Sequence, residues 1–158
     1  MVDRNHPSVD RVVADLESKG LDIRVTWLDD AATTAQAAAD ALGTEVGAIA
    51  NSLIFTLDDQ PILVLTSGRH RVDTAWLGGR LGGTLRRAPA ETVRQSTGQV
   101  IGGVAPVGHP EPLPTYVDVV LSDYPKVWAA AGHAHTVFPL TFSDLVRVTG
   151  ATVTPVEP

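Results

Sequence analysis

Ser96-Thr97-Gly98-Gln99-Val100-Ile101-Gly102-Gly103-Val104-Ala105-Pro106-Val107-Gly108 is the most informative stretch of this chain. Its glycines let backbone N–H groups approach a ligand without interference from a Cβ, and Pro106 freezes the exit of the turn. Such a loop can hold a carbonyl or phosphate oxygen as an oxyanion hole does, or it can simply be a tight turn. It is not a phosphate-binding P-loop, because no Gly-Lys-Ser/Thr follows.

Upstream of the loop, Pro89 at the first helical position and Gly98 past the end bracket a helix containing Val93. Asp73 can cap another through Leu81, and Thr84 to Arg87 reads as a strand. Ile49 to Leu57 and Pro61 to Thr66 are β-rich runs split by Asp58-Asp59-Gln60, a hairpin. Near the N-terminus, Val9, Val12, Val13 and Leu16 recur at helical spacing between Ser8 as cap and Gly20 as stop. Arg24 to Leu28 has a short β pattern, and an alanine-rich helix follows from Thr33 or Thr34 to Gly43. Downstream, Val117 to Leu121, Val127 to Ala131 and Thr136 to Phe138 are strand candidates, and Ser143 caps a last helix through Val148. Helices and strands mix without regular βαβ alternation, which predicts an α+β fold around a mixed sheet. The reading is one domain over 1–158, with a core at about 7–150 and a loose tail over 151–158.

At 158 residues, 44% hydrophobic and 19% charged, the chain is too apolar for intrinsic disorder. No apolar run approaches the ~18 residues that a membrane span requires. Zero cysteines exclude a disulfide framework, a thiol nucleophile and a thiolate metal site. The polar segment Met1 to Val9 does not read as a signal peptide, so the cytoplasm is the expected compartment. The net charge is −6, yet Arg69, Arg71, Arg80, Arg86, Arg87 and Arg94 face only Asp73 and Glu91 in their segment. A basic patch on an acidic chain can dock a phosphate backbone; scattered solvated arginines are the alternative.

Other residues could carry chemistry. In Gly132-His133-Ala134-His135 the two imidazoles share a face if the segment is a strand, and with His109 they would make a three-histidine metal set. No acid lies near them in sequence to orient them, so a wall histidine and a surface histidine are the plainer reading and no metal is expected. Asn51-Ser52 is a polar pair inside an apolar strand, and Trp27 at a strand end can stack a base or fill the core. No Gly-x-Ser-x-Gly elbow, His-Glu-x-x-His motif or Ser-His-Asp order appears, so catalysis would rest on positioning and polarising a substrate.

Taken in order, Ala41-Leu42-Gly43, Ile49-Ala50-Asn51-Ser52-Leu53-Ile54-Phe55, Val72-Asp73, the Ser96 to Gly108 stretch, Asp118, Ala131-Gly132 and Asp144-Leu145 resemble one family. It is that of YbaK and the prolyl-tRNA synthetase-associated domain, which includes the stand-alone aminoacyl-tRNA deacylases. The resemblance runs from about Pro7 to Thr149. It implies a single α+β domain with a twisted, barrel-like mixed sheet flanked by helices. It implies hydrolysis of the ester of a mischarged aminoacyl-tRNA, without a covalent protein nucleophile and without a cofactor. The expected partner is the acceptor end of the tRNA, with an aminoacyl-tRNA synthetase as a further partner and no membrane. Carried over by position, Asn51 and Gly102 fall at the catalytic positions. Trp27, Ser52, Gly103, Val104, Ala105, Pro106, Gly132 and His133 would bind the substrate, and Arg69, Arg71, Arg86 and Arg87 the tRNA. The chain departs from the family at Asn51, where members have lysine, at Ala130, where cysteine-specific members have serine, and at Trp27, His133 and Val137. A non-catalytic module binding an aminoacyl-tRNA end, or an aminoacyl-like ligand, is the alternative that Asn51 supports.

Overall fold

The computed structural model describes residues 6–158, so the polar reading of Met1 to Asn5 lies outside the described residues. Helix α1, Pro7–Ser18, opens the chain. Its cap is His6 and not Ser8: Pro7 fits the first helical position, and the His6 Nδ1 accepts the Ser8 amide at 3.1 Å. Val9, Val12 and Leu16 bury the face that their spacing predicts. After the two-residue strand β1, Thr26–Trp27, comes α2, Ala35–Leu42, capped by the Thr34 hydroxyl.

Strands β2, Ala50–Leu57, and β3, Gln60–Ser67, form the expected hairpin. Its turn places Asp58 and Asp59 at φ 50° and 68°, the left-handed pair of a tight hairpin turn. Helix α3, Thr74–Leu81, strand β4, Leu85–Arg87, and helix α4, Ala90–Thr97, follow. Strand β5, Thr115–Asp118, ends earlier than its apolar run, because the Asp118 side chain accepts the Val120 amide and starts a 3-10 turn over Val119–Asp123. Strands β6, Val127–Ala129, and β7, Thr136–Leu140, precede α5, Phe142–Thr149. That last helix is capped by Thr141, not by Ser143.

One expectation is overturned. Residues 151–158 are not a loose tail: Thr152–Thr154 forms β8, parallel to β5, and Val156 is fully buried against Phe55, Val64 and Leu77.

The strands make a mixed five-stranded sheet in the order β4-β2-β3-β5-β8 and a three-stranded antiparallel sheet in the order β1-β7-β6. A parallel bridge between Ile49 and Trp128 joins the two sheets, which among the described residues do not close into a barrel. Side chains alternate along β2, so Ala50 and Ile54 enter the main core with Leu63, Leu65 and Phe138. Leu53, Phe55 and Leu57 pack on the other face, under Leu77 of α3. Each fully buried Leu or Phe stabilises the fold by about 1.5–3 kcal/mol. Leu63, Leu65, Leu77, Phe55 and Phe138 therefore hold β2 and β3 rigid beneath whatever binds their edges.

Candidate active site

Along one edge β2 pairs with β3 throughout. Along the other, β6 reaches its start through the Ile49–Trp128 bridge, and β4 covers its end at Phe55–Leu57. The Ala88 amide, donating to the Ile54 carbonyl at 3.2 Å, is the last contact of that cover. Among the described residues no strand pairs with Asn51 to Leu53 on this edge, and a cleft of about 650 Å³ opens there.

The cleft straddles the strand. Ser52 shares the face of Ala50 and Ile54 and looks toward Val93, Val104 and Ala129, which also line the cavity. Its hydroxyl is buried without a hydrogen-bond partner. A buried hydroxyl left unpaired costs free energy that a ligand group can recover. Asn51 lies on the opposite face, beside Leu53 and across from Thr66, with His70, Arg71 and Arg87 lining that side. Arg87 rests its guanidinium over the Phe55 ring, 5.7 Å from the centroid. One half is thus largely apolar around the unpaired Ser52 hydroxyl, and the other carries His70, Arg71 and Arg87.

The glycine loop forms the rim. Gly103 donates to the Val100 carbonyl at 3.1 Å, closing a turn whose third residue, Gly102, has φ +97°. Only glycine takes that conformation without strain. Gly103 must be glycine for a second reason: a Cβ there would sit 2.6 Å from the His133 carbonyl carbon. Behind the turn, the buried Gln99 side chain accepts the Ala105 amide at 2.7 Å and donates to the Val107 carbonyl at 3.3 Å. The amides of Gly103 and Ala105 are therefore committed within the loop, and Pro106 has no N–H. Ile101, Gly102 and Val104, which line the cleft, are left as the loop's candidate donors.

The cleft brings together Asn51, Ser52, Gly102, Val104, Arg71 and Arg87. Other expected site residues lie outside its lining. Ala105 is fully buried, and Pro106 lines a second cavity behind the loop. Trp27 and His133 meet as tilted rings, 5.7 Å between centroids, and His133 makes similar tilted contacts with His6 and His135. Gly132 packs against the Ser8 backbone. Arg69 is held by Asp123 at 3.6 Å and by the Tyr124 hydroxyl at 3.1 Å, while Arg86 is exposed on β4. Among the described residues no group of three or more His, Cys, Asp or Glu side chains is arranged to hold a metal ion. His109 sits in the second cavity, where its Nε2–H donates to the Ala105 carbonyl at 2.9 Å. Burial pushes its pKa down, against weaker upward pulls from that carbonyl and from Asp15.

Sequence reasoning missed His70, whose Nδ1 donates to the buried Asp118 carboxylate at 2.9 Å, and Gln99. The Ser67-Gly68-Arg69-His70 run after a buried strand was a weak signal for the first; a lone glutamine after a helix-ending glycine offered none for the second.

Comparison with known proteins agrees with this architecture. Residues 29–148 match the model of the aminoacyl-tRNA editing domain. Protein YwhH of Bacillus subtilis (strain 168), uncharacterized, is 31% identical over 122 residues, covering 77% of this chain and 78% of YwhH. The crystal structure of a candidate trans-editing enzyme for prolyl-tRNA synthetase superposes with a TM-score of 0.91 at 42% identity, over 98% of this chain and 99% of that one. A scaffold protein used in computational grafting of linear epitopes superposes equally well, with a TM-score of 0.91 at 39% identity over the same shares. The chain belongs to the aminoacyl-tRNA editing domain family.

Proposed function

We propose that the protein is a trans-editing deacylase that hydrolyses the ester of a mischarged tRNA in the cytoplasm, without a covalent protein nucleophile. The carrying observation is the division of one cleft by the bare edge of β2. The apolar half around Ser52, Val104 and Ala129 suits a small aminoacyl side chain, and the half with Asn51, Arg71 and Arg87 suits the ribose and phosphate of the acceptor end. In this reading the ester carbonyl lies between them, against the amides of Gly102 and Val104, which line the cleft. An ester is already activated, and a positioned donor at its developing oxyanion contributes ~3–4 kcal/mol to the rate. Water attack on an oriented ester gains the rest from proximity.

Ser52 does not act as a nucleophile in this reading. Its hydroxyl has no base beside it, and an unassisted serine is a weak attacker. It serves instead as a hydrogen-bond partner for the aminoacyl group. Asn51 bonds a ribose hydroxyl or the ester oxygen through a neutral amide.

A second reading, a binding module for an aminoacyl-tRNA end, draws on Asn51 standing where related enzymes carry lysine. Deacylation of tRNAs mischarged with alanine, serine and cysteine, with and without chelator, separates the two. Chelator-insensitive loss of at least one ester is expected. Tight binding of all three without turnover would overturn the deacylase in favour of the module.

A further inference from the structure

The C-terminal segment reaches back to the cationic side of the cleft. The Val156 carbonyl accepts the Asp73 amide at 3.0 Å, and the Glu157 carboxylate lies 3.6 Å from the His70 Nε2. Two residues, Arg71 and Val72, separate His70 from Asp73, so residues 156 and 157 grip both flanks of Arg71. His70 is held from the other side as well. Its Nδ1 donates to the Asp118 Oδ2, the oxygen that also accepts the Ser67 amide at 3.0 Å. Asp118 is fully buried, and its second oxygen takes the Val120 amide at 3.1 Å. A carboxylate only accepts, so the proton of this pair belongs to His70 Nδ1. The chain before His70 is equally pinned: the Ser67 hydroxyl donates to the Gly47 carbonyl at 2.6 Å, and the His70 amide donates to the Ser67 carbonyl at 2.9 Å.

Strand register connects this clamp to Asn51. Asn51 pairs with Thr66, and the pairing of Leu65 with Val117 sets Asp118 beside Thr66, with 3.4 Å between the Thr66 hydroxyl and the Asp118 Oδ2. Asn51, Thr66 and Asp118 thus form a polar row across β2, β3 and β5, with His70 above its end. Arg71, exposed and lining the cleft, emerges from the backbone that this arrangement immobilises.

We infer that His70, anchored by Asp118 with Glu157 beside its other nitrogen, is a positioning residue that aims Arg71 at a phosphate of the bound acceptor end. The inference rests on the tRNA reading above. A guanidinium on a fixed backbone loses less freedom on binding a phosphate than one on a mobile turn. Loss of the clamp should therefore weaken substrate binding and leave the ester-cleaving step alone.

The test uses the full chain and its His70→Ala, His70→Asn, Glu157→Gln, Arg71→Ala and His70→Ala/Arg71→Ala variants. KM and kcat are measured on a mischarged tRNA, and affinity on uncharged tRNA. His70→Ala should raise KM roughly fivefold with kcat within about twofold, and Glu157→Gln, which loses only a 3.6 Å contact, should move KM less. The double variant should bind no worse than Arg71→Ala, because the two residues act as one unit. His70→Asn, whose amide can still donate to Asp118, should restore most of the affinity. A folded His70→Ala protein with unchanged KM, or effects of His70 and Arg71 that simply add, would overturn the inference. If the unaltered protein neither binds nor cleaves tRNA, the function proposed above fails. The arrangement is then judged by amide hydrogen exchange over residues 67–73: faster exchange in His70→Ala supports it, and unchanged protection refutes it.

Discussion

Gln99 and Ala105 are joined by a 2.7 Å hydrogen bond from the Ala105 amide to the Gln99 side-chain oxygen, and this bond shapes the rim of the cleft from behind. Gln99→Ala leaves that amide and the Val107 carbonyl buried and unpaired, at a cost of about 1–3 kcal/mol each. Urea unfolding should show a lower midpoint with an unchanged slope. At temperatures where the variant is folded, kcat/KM should still fall, because the Gly102 and Val104 amides are no longer held in place.

Gly102→Val tests the loop directly. The space is open, with the nearest atom to a Cβ being the Thr33 methyl at 3.6 Å, but φ +97° strains any branched residue by about 1–3 kcal/mol. A folded but less stable protein is expected, with ligand affinity or turnover reduced at least about tenfold. Unimpaired turnover in the folded variant would remove the loop from the site.

Asn51→Ala removes one neutral hydrogen bond, so kcat/KM should drop by about tenfold at most, or ~0.5–1.5 kcal/mol. Asn51→Lys installs the residue of the resembled enzymes, and a gain in hydrolysis of cysteinyl- or alanyl-tRNA for proline is expected. A hundredfold loss in Asn51→Ala would show that the amide does more than bond a hydroxyl.

Salt dependence reads the arginines. Each phosphate contact contributes roughly −0.7 to −0.9 to the slope of log affinity against log salt. Arg87 lines the cleft, so Arg87→Ala should flatten the slope by about one contact. Arg69 is already engaged by Asp123 and Tyr124, and Arg69→Ala should change it less.

His109 gives stability a pH dependence with a defined sign. Its folded pKa is lowered by burial, so the unfolded chain binds the proton more readily. The contribution is fully present above the unfolded value of about 6.5 and is lost as pH falls through the folded one. His109→Gln keeps a donor for the Ala105 carbonyl and removes the titration. Thermal melts at pH 7.5 and 5 should therefore differ less for the variant than for the unaltered protein.

Local pattern made much of this molecule legible. The Val9, Val12, Leu16 spacing located α1, and the Asp58-Asp59 pair between two β-rich runs located the β2–β3 hairpin. Asn51, Ser52 and Gly102 stood out because their residue types are conspicuous in their segments, whereas Val104 entered only with the resemblance. What escaped depends on long-range geometry. Thr152–Thr154 is too short for a periodic signal and becomes a strand because β5 offers it an edge. His70 gains its role from Asp118, 48 positions away. Trp27 and His133 sit in a separate ring cluster outside the cleft lining, with the loop at Gly103 packed against the backbone at His133.

The late strand β8 also governs how the molecule can be made. Until Thr152–Thr154 clears the ribosome, β5 presents an open edge, and an unpaired edge strand is a template for aggregation. A nascent or prematurely terminated chain ending near Gly150 would expose that edge together with the seat of Val156.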